Sequence, residues 1–392
     1  MTNPTLRFNS ELCNAFPDWG VIKIKDLSEK MIGGGTPDKN NLEFWTGSVP
    51  WISSSDLSLD NINAVKITRF ISDSALKNSA TKLIPKGSIL IVSRVGVGKV
   101  AVAPCDLCTS QDFANLINIK YDSFFLAYAL IKHMGKKLNE VQGTSIKGIT
   151  SREIKESSIS IPCLEEQQKI ASFFSTLDQK IELNERKLEA LEKLKKGVTQ
   201  KILNKKIRFQ KDDGTDFPDT VSCSLRYISA YSKCNVEKKN SLFIGNEQLI
   251  SNFGGATLNF REVAKGNEFN SGDILFGNIR PYLKKVWLSN ESGVASPDVL
   301  IFKATNAIPG YLKFILSSER FFNHVAQGYK GSKMPRGDKH QIMDFSIQCP
   351  CLEEQQKIAD FLSALDSKID IKRKTVATMR DLKRGLMQQM FV

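Results

Sequence analysis

The sequence predicts an α+β protein: two similar mixed α/β domains separated by two long helices, and three observations carry that reading. The segment Pro162 to Ile181 (PCLEEQQKIASFFSTLDQKI) returns 188 positions later as Pro350 to Ile369 (PCLEEQQKIADFLSALDSKI), with 16 of 20 positions identical. Fainter echoes extend the duplication. Leu6-Arg7-Phe8 with Phe16-Pro17-Asp18 matches Ile207-Arg208-Phe209 with Phe217-Pro218-Asp219, 201 positions on, while Gly87 to Leu90 matches Gly272 to Leu275 at 185. After each copy of the strong repeat, apolar residues recur near heptad spacing, as paired helices require.

The elements follow in chain order. Val21–Leu27, Ser88–Ser93 and Val100–Ala103 read as short strands of the first domain, and Tyr121 to Leu138 as its one helix. Gly96-Val97-Gly98-Lys99 between two strand patterns reads as a turn. After Pro162, the carboxylates Glu165 and Glu166 mark a helix start, because they complement the exposed N–H groups there. The helix runs to Lys206, about 65 Å at about 1.5 Å per residue. Its seam is Leu177, Ile181, Leu188, Leu191 and Val198, and the second copy supplies Leu365, Ile369, Val376, Met379 and Leu386. Gly197 and Gly385, at matched positions, should weaken or bend each helix slightly. In the second domain Ile274–Phe276 and Val299–Lys303 read as strands and Gly310 to Val325 as one helix. The divisions expected are 1–160 and 209–348 for the two domains, with 161–208 and 349–392 for the helices.

Composition bounds the function. At 41% hydrophobic and 25% charged residues the chain is globular rather than disordered. Its longest apolar run, Phe124 to Ile131, is far short of the ~18 residues a membrane span needs. The start has no basic region followed by an apolar core, so a cytoplasmic protein without membrane contact is expected. Its eight cysteines should then be free thiols. A net charge of +13 points to a polyanionic partner, nucleic acid before membrane.

Catalytic signatures fail one by one. There is no GxxxxGK[ST] phosphate loop, and no Pro-Pro pair of the kind an amino-methyltransferase motif contains. Pro297-Asp298 could open a nuclease motif, but Ile301-Phe302-Lys303 after it lacks the carboxylate, and Cys105-Asp106-Leu107-Cys108 lacks a second pair for zinc. The three histidines, His133, His324 and His340, have no triad spacing. No metal site and no catalytic residue is expected.

Binding remains. Gly143 to Gly148 and Gly328 to Arg336 precede the repeated helices at equivalent places, with small residues beside Lys147, Lys330, Lys333 and Arg336. Arg280 and Lys284 add cations around Tyr282, and Arg94 and Lys99 stand in the related part of the first domain. Such cations meet phosphates or guanine edges. The second long helix carries seven basic residues against two acidic ones from Lys368 to Arg384, a stripe able to face DNA or an acidic partner.

These residues resemble the specificity subunit of type I restriction–modification enzymes, over essentially the whole chain. The likeness is carried by Gly34-Gly35-Thr36-Pro37, Phe44-Trp45-Thr46-Gly47-Ser48-Val49-Pro50-Trp51-Ile52, Gly272 to Leu275 with Ile279-Arg280-Pro281, and the twice-used Pro-Cys-Leu-Glu-Glu-Gln-Gln-Lys-Ile. Cys163 and Cys351 stand where a second proline is common. The resemblance implies two target-recognition domains, each reading half of a split double-stranded DNA site. It implies helices that space the halves and dock two methyltransferase (modification) subunits, with restriction/translocase subunits in the full complex. S-adenosylmethionine, ATP and Mg would then be held by partner chains and none by this one. The alternative is a fused methyltransferase or nuclease with an unrecognised site.

The duplication also predicts geometry. The two helices should pair antiparallel about a pseudo-twofold axis. Because the Arg-Phe arm follows the first helix and also opens the chain, residues 1–18 should cover the end of the second helix, with Phe8 near Leu386–Val392. The molecule is then close to a ring cut between Val392 and Met1.

Overall fold

The computed structural model describes residues 3–9, 15–141, 148–331 and 333–392. They form two compact units, Met1–Glu185 with Lys374–Val392, and Arg186–Arg373. Each unit therefore holds one mixed α/β domain and half of each long helix.

In the first unit the main sheet has the order Ser28–Gly33, Phe113–Ile119, Ile89–Val92, Val100–Val102, with every neighbour antiparallel. Ile89–Val92 is fully buried along its length, because both faces of the sheet are covered. Ile89 and Ile91 point into the core that holds the helix Ser123–Val141, while Leu90 and Val92 point into a second core with Ile52, Leu107 and Phe113. That second core is roofed by a smaller sheet in the order Arg69–Ile71, Val49–Ile52, Leu107–Thr109, Leu83–Ile84, whose central pair is parallel. A two-stranded ribbon, Gly20–Lys23 against Ser158–Ile161, closes the domain and leads into the first long helix. The strand expected over Val21–Leu27 stops at Lys23. Ile24–Asp26 turns into a 3-10 helix, which lets Ile24 and Leu27, three apart, both enter the core.

The second unit repeats this plan. Its main sheet runs Ser229–Tyr231, Val299–Ala304, Ile274–Gly277, Val286–Leu288, and its closing ribbon is Val221–Ser224 against Ser346–Cys349. Ile274 and Phe276 face one core and Leu275 the other, as in the first unit. The difference lies in the smaller sheet, here a closed three-stranded arrangement of Asn235–Ile244, Phe260–Phe269 and Gly293–Ala295. The single helix expected over Gly310 to Val325 is in fact two, Pro309–Leu316 and Glu319–Gln327. Ser318 is the reason: its hydroxyl donates to the Ile315 carbonyl at 2.7 Å and accepts from the Phe321 amide at 3.2 Å, ending one helix and capping the next.

The long helices span Leu164–Leu203 and Leu352–Met390, continuous through Gly197 and Gly385. In each unit their halves run antiparallel. In the first, Asp178 meets Lys383 at 2.5 Å and Glu185 meets Arg380 at 2.6 Å; in the second, Glu192 meets Arg373 at 2.8 Å and Lys195 meets Asp366. All ten seam residues named above are buried or half-buried. Three of the seven basic residues in the stripe of the second helix, Arg373, Arg380 and Lys383, bond to carboxylates of the first helix.

The repeated motif is the joint between domain and helix. Glu166 is fully buried and accepts from Arg7 Nε at 3.0 Å, Arg7 Nη2 at 2.7 Å and the Trp19 indole at 3.1 Å. Glu354 accepts from Arg208 Nε at 3.3 Å and Nη2 at 2.7 Å. The next residue, Gln167, accepts from the Asp122 amide and donates to the Pro162 carbonyl; Gln355 does the same with Ile308 and Pro350. So the glutamate ties the arginine arm to the helix start and the glutamine ties the domain's helix start to it. The arms follow suit. The Leu6 amide donates to the Gln389 carbonyl at 3.0 Å, and Phe8, Leu386 and Met387 all pack against the core of the first unit, where Phe8 meets Phe173 edge-on at 5.7 Å. Phe209, Ile202 and Leu203 likewise all pack against the core of the second unit, and Phe209 meets Phe361 edge-on, also at 5.7 Å.

Candidate nucleic-acid interface

Equivalent strand ends carry the loops of interest. In the first unit Ile89–Val92 ends at Ser93, whose amide donates to the Asp112 carbonyl at 2.8 Å; in the second Ile274–Gly277 ends at Asn278, whose amide donates to the Asp298 carbonyl at 3.0 Å. The chain just before each long-helix ribbon returns to the same place. Ile149 N donates to the Ser93 carbonyl, and a Cβ on Gly148 would fall 2.6 Å from that oxygen, so glycine lets the strands approach. In the second unit the buried Asn278 amide group grips Gly337 twice, donating to its carbonyl at 3.2 Å and accepting from its amide at 3.1 Å.

Around the first of these joints lies an open cleft lined by Gly33, Gly34, Arg94, Val95, Gln111 and Thr150. Arg94 is exposed and makes no side-chain bond to a described residue. Lys99, expected beside it, instead donates to the Ser54 carbonyl at 2.9 Å. Lys147 lies outside the described residues.

In the second unit the structure brings together Arg280, Lys284, Lys330, Lys333 and Arg336. Ile279 bridges Arg336, and Lys330 and Arg336 exchange backbone hydrogen bonds at 2.8 and 2.9 Å, so the two ends of the glycine-rich loop are paired beside the strand end. Three of the five cations are engaged. Arg336 pairs with Asp298 at 3.0 Å, Lys330 with Asp338, and Lys284 with Glu319 at 2.6 Å. Lys330, together with the amides of Gln341 and His340, holds the Asp338 carboxyl down at about 2. Arg280 and Lys333 are exposed and make no side-chain bond to a described residue. Nothing in the sequence pattern separates engaged from unengaged cations, since Asp298, Asp338 and Glu319 are brought in by the fold.

No group of three or more His, Cys, Asp or Glu among the described residues is placed to hold a metal ion. The seven described cysteines are free. No helix among the described residues is long and apolar enough to cross a membrane.

With this geometry in hand, the comparisons with known proteins agree. Residues 17–193 and 222–378 match the model of the type I restriction modification DNA specificity domain, once per repeat. The chain belongs to the type I restriction–modification DNA specificity family. It is 39% identical over 184 residues to the type I restriction enzyme MjaIX specificity subunit of Methanocaldococcus jannaschii, a likeness covering 45% of this chain and 42% of that one. To the MjaVIII specificity subunit of the same organism it is 25% identical over 398 residues, covering 94% and 91%. The S subunit of the type I system from M. genitalium shares the fold, with a TM-score of 0.62 at 17% identity over 100% of this chain and 99% of that one.

Proposed function

We propose that this chain reads a bipartite DNA target, each unit's loop cluster engaging one half-site, and that it does so as the non-catalytic subunit of a restriction–modification complex. The observation that carries this is the duplication of one reading device. Equivalent strand ends, Ser93 and Asn278, are each pinned by a backbone hydrogen bond to an aspartate carbonyl, and an exposed, unengaged arginine follows each, one residue on at Arg94 and two residues on at Arg280. Two half-sites about one duplex turn apart, about 34–36 Å, are the usual arrangement for a duplicated DNA reader.

The long helices are proposed to space the halves and to dock the methyltransferase subunits. Apolar residues stay exposed at matched places of the two copies, Leu194 and Leu382, and Leu183 is exposed on the first helix as well. S-adenosylmethionine, ATP and Mg are then held by the modification and restriction/translocase subunits, and the complex works on DNA in the cytoplasm.

The test is an assay of the purified full chain with S-adenosylmethionine and duplex DNA, alongside a gel shift. Sequence-selective binding without methyl transfer is expected. Robust methylation by the chain alone would favour the fused-enzyme alternative. Leu194→Glu with Leu382→Glu should abolish co-purification of the methyltransferase subunits while leaving DNA binding by the chain intact.

A further inference from the structure

Seven described non-glycine residues have a positive φ, and four of them, Asn252, Phe253, Arg280 and Lys284, meet at one place in the second unit. Left-handed backbone at residues with a Cβ is costly and persists only where surrounding structure enforces it, which makes such a cluster a marker of function. Here the enforcement is visible. Arg280 and Lys284, at φ +50° and +54°, flank the 3-10 turn Pro281–Leu283. On one side the Arg280 amide donates to the Pro335 carbonyl at 2.9 Å. On the other, the Asn252 and Phe253 amides donate to the Leu283 and Lys284 carbonyls, each at 3.0 Å. Beneath them lies the grip of Asn278 on Gly337. The Arg280 backbone is therefore fixed from two sides while its side chain stands exposed and without a described partner.

We propose that Arg280 is the base-reading residue of the second unit and that it takes a guanine, the guanidinium fork matching the O6 and N7 acceptors which guanine shows in the major groove. This rests on the DNA-reading function proposed above. The neighbouring cations do other work. Lys330 and Arg336 are held by Asp338 and Asp298 at the two ends of their loop, and Lys284 is held by Glu319. Lys333 is exposed, but a flexible point charge fits a phosphate better than a base edge. Tyr282, also exposed, sits on the same turn and offers a ring beside the arginine.

The experiment is a binding selection with the full chain on a randomised duplex library, read by sequencing at two salt concentrations. Arg280→Ala and Arg280→Lys should both lose discrimination for one G·C pair in one half-site, by about 10- to 100-fold, with the other half-site unchanged. Lys333→Ala should weaken all sequences evenly and lower the salt slope by about one. Arg280→Lys retains the charge, so it decides the matter should the alanine variant fail to fold. An even loss across sequences, or unchanged preference, in Arg280→Lys would overturn the assignment while leaving the DNA-reading function standing. A wild-type chain with no sequence preference would instead overturn that function, and the assignment with it.

Discussion

At the residue scale the repeated motif resolves into a buried carboxylate and its arginine. Glu166 has no exposed surface, and Glu354 has a side chain only 3% exposed, so each depends on donors within the fold. Removing the arginine leaves a buried charge unpaired, a loss of about 3 kcal/mol. Arg7→Ala leaves Glu166 the Trp19 indole, whereas Thr220 stands at the matching place in the second unit and bonds Gln348 instead. Arg208→Ala should therefore destabilise its own unit more than Arg7→Ala does, as seen in the midpoints of denaturant unfolding. Asp338 offers a pH test. Its carboxyl is held at about 2, first by Lys330 and then by the Gln341 and His340 amides. A depressed folded value means the carboxylate stabilises the fold above the usual carboxylate range, and that contribution is lost as pH falls toward about 2. Titration of the Asp338 carboxyl by NMR should show this, and Lys330→Ala should move it upward.

At the element scale the two helix pairings are built alike but sealed differently. Asp178 in the first unit is bonded by Tyr128 Oη at 2.7 Å and by Lys383 at 2.5 Å, and all three are buried. In the second unit Asp366 stands in its place, bonded by Lys195 and, at 3.2 Å, by Lys313, with side chains about 30% exposed. Lys383→Met strands a buried carboxylate and should cost about 3 kcal/mol; Lys195→Met, in a wetter site with Lys313 remaining, should cost under about 1 kcal/mol. Burial raises the Asp178 pKa, against the pull of Lys383 and Tyr128. The native state then binds that proton more tightly than the unfolded chain does. Stability from this group is greatest below the usual carboxylate range and declines as pH rises through the raised value. Without Lys383 the decline should steepen, so the variant should lose less at pH ~5 than at pH ~7.5 in thermal melts.

At the scale of the whole molecule the arms decide connectivity. Leu6 and Thr5 bond the Gln389 carbonyl, and Phe8 joins Leu386 and Met387 at the edge of one core, as Phe209 joins Ile202 and Leu203 at the edge of the other. A short linker from Val392 to Met1 should then be tolerated, with new ends opened in the exposed Asp212–Gly214 turn. The permutant is expected to melt within a few degrees of the parent and to retain DNA binding by gel shift. Deleting residues 1–8 should instead expose the helix end and lower the melting temperature of the first unit.

What the sequence by itself determined was the plan: two units, two antiparallel helix pairings, a basic surface, and arms that cap helix ends. Duplication makes such features legible, because two copies of one segment must meet the same packing demands, and heptad spacing states which face is buried. The ten residues that this spacing names are buried or half-buried. The roles of Glu166, Gln167 and Arg7 were signalled only by their repetition, since their partners lie far away in the chain. The break at Ser318 escaped because an apolar run does not show where a hydroxyl will cap. Only the tertiary structure sorted the loop cations. Their counter-charges, Asp298, Asp338 and Glu319, come from strand ends and helix starts that folding alone brings near, and what they leave exposed is Arg280 on a backbone held in place from two sides.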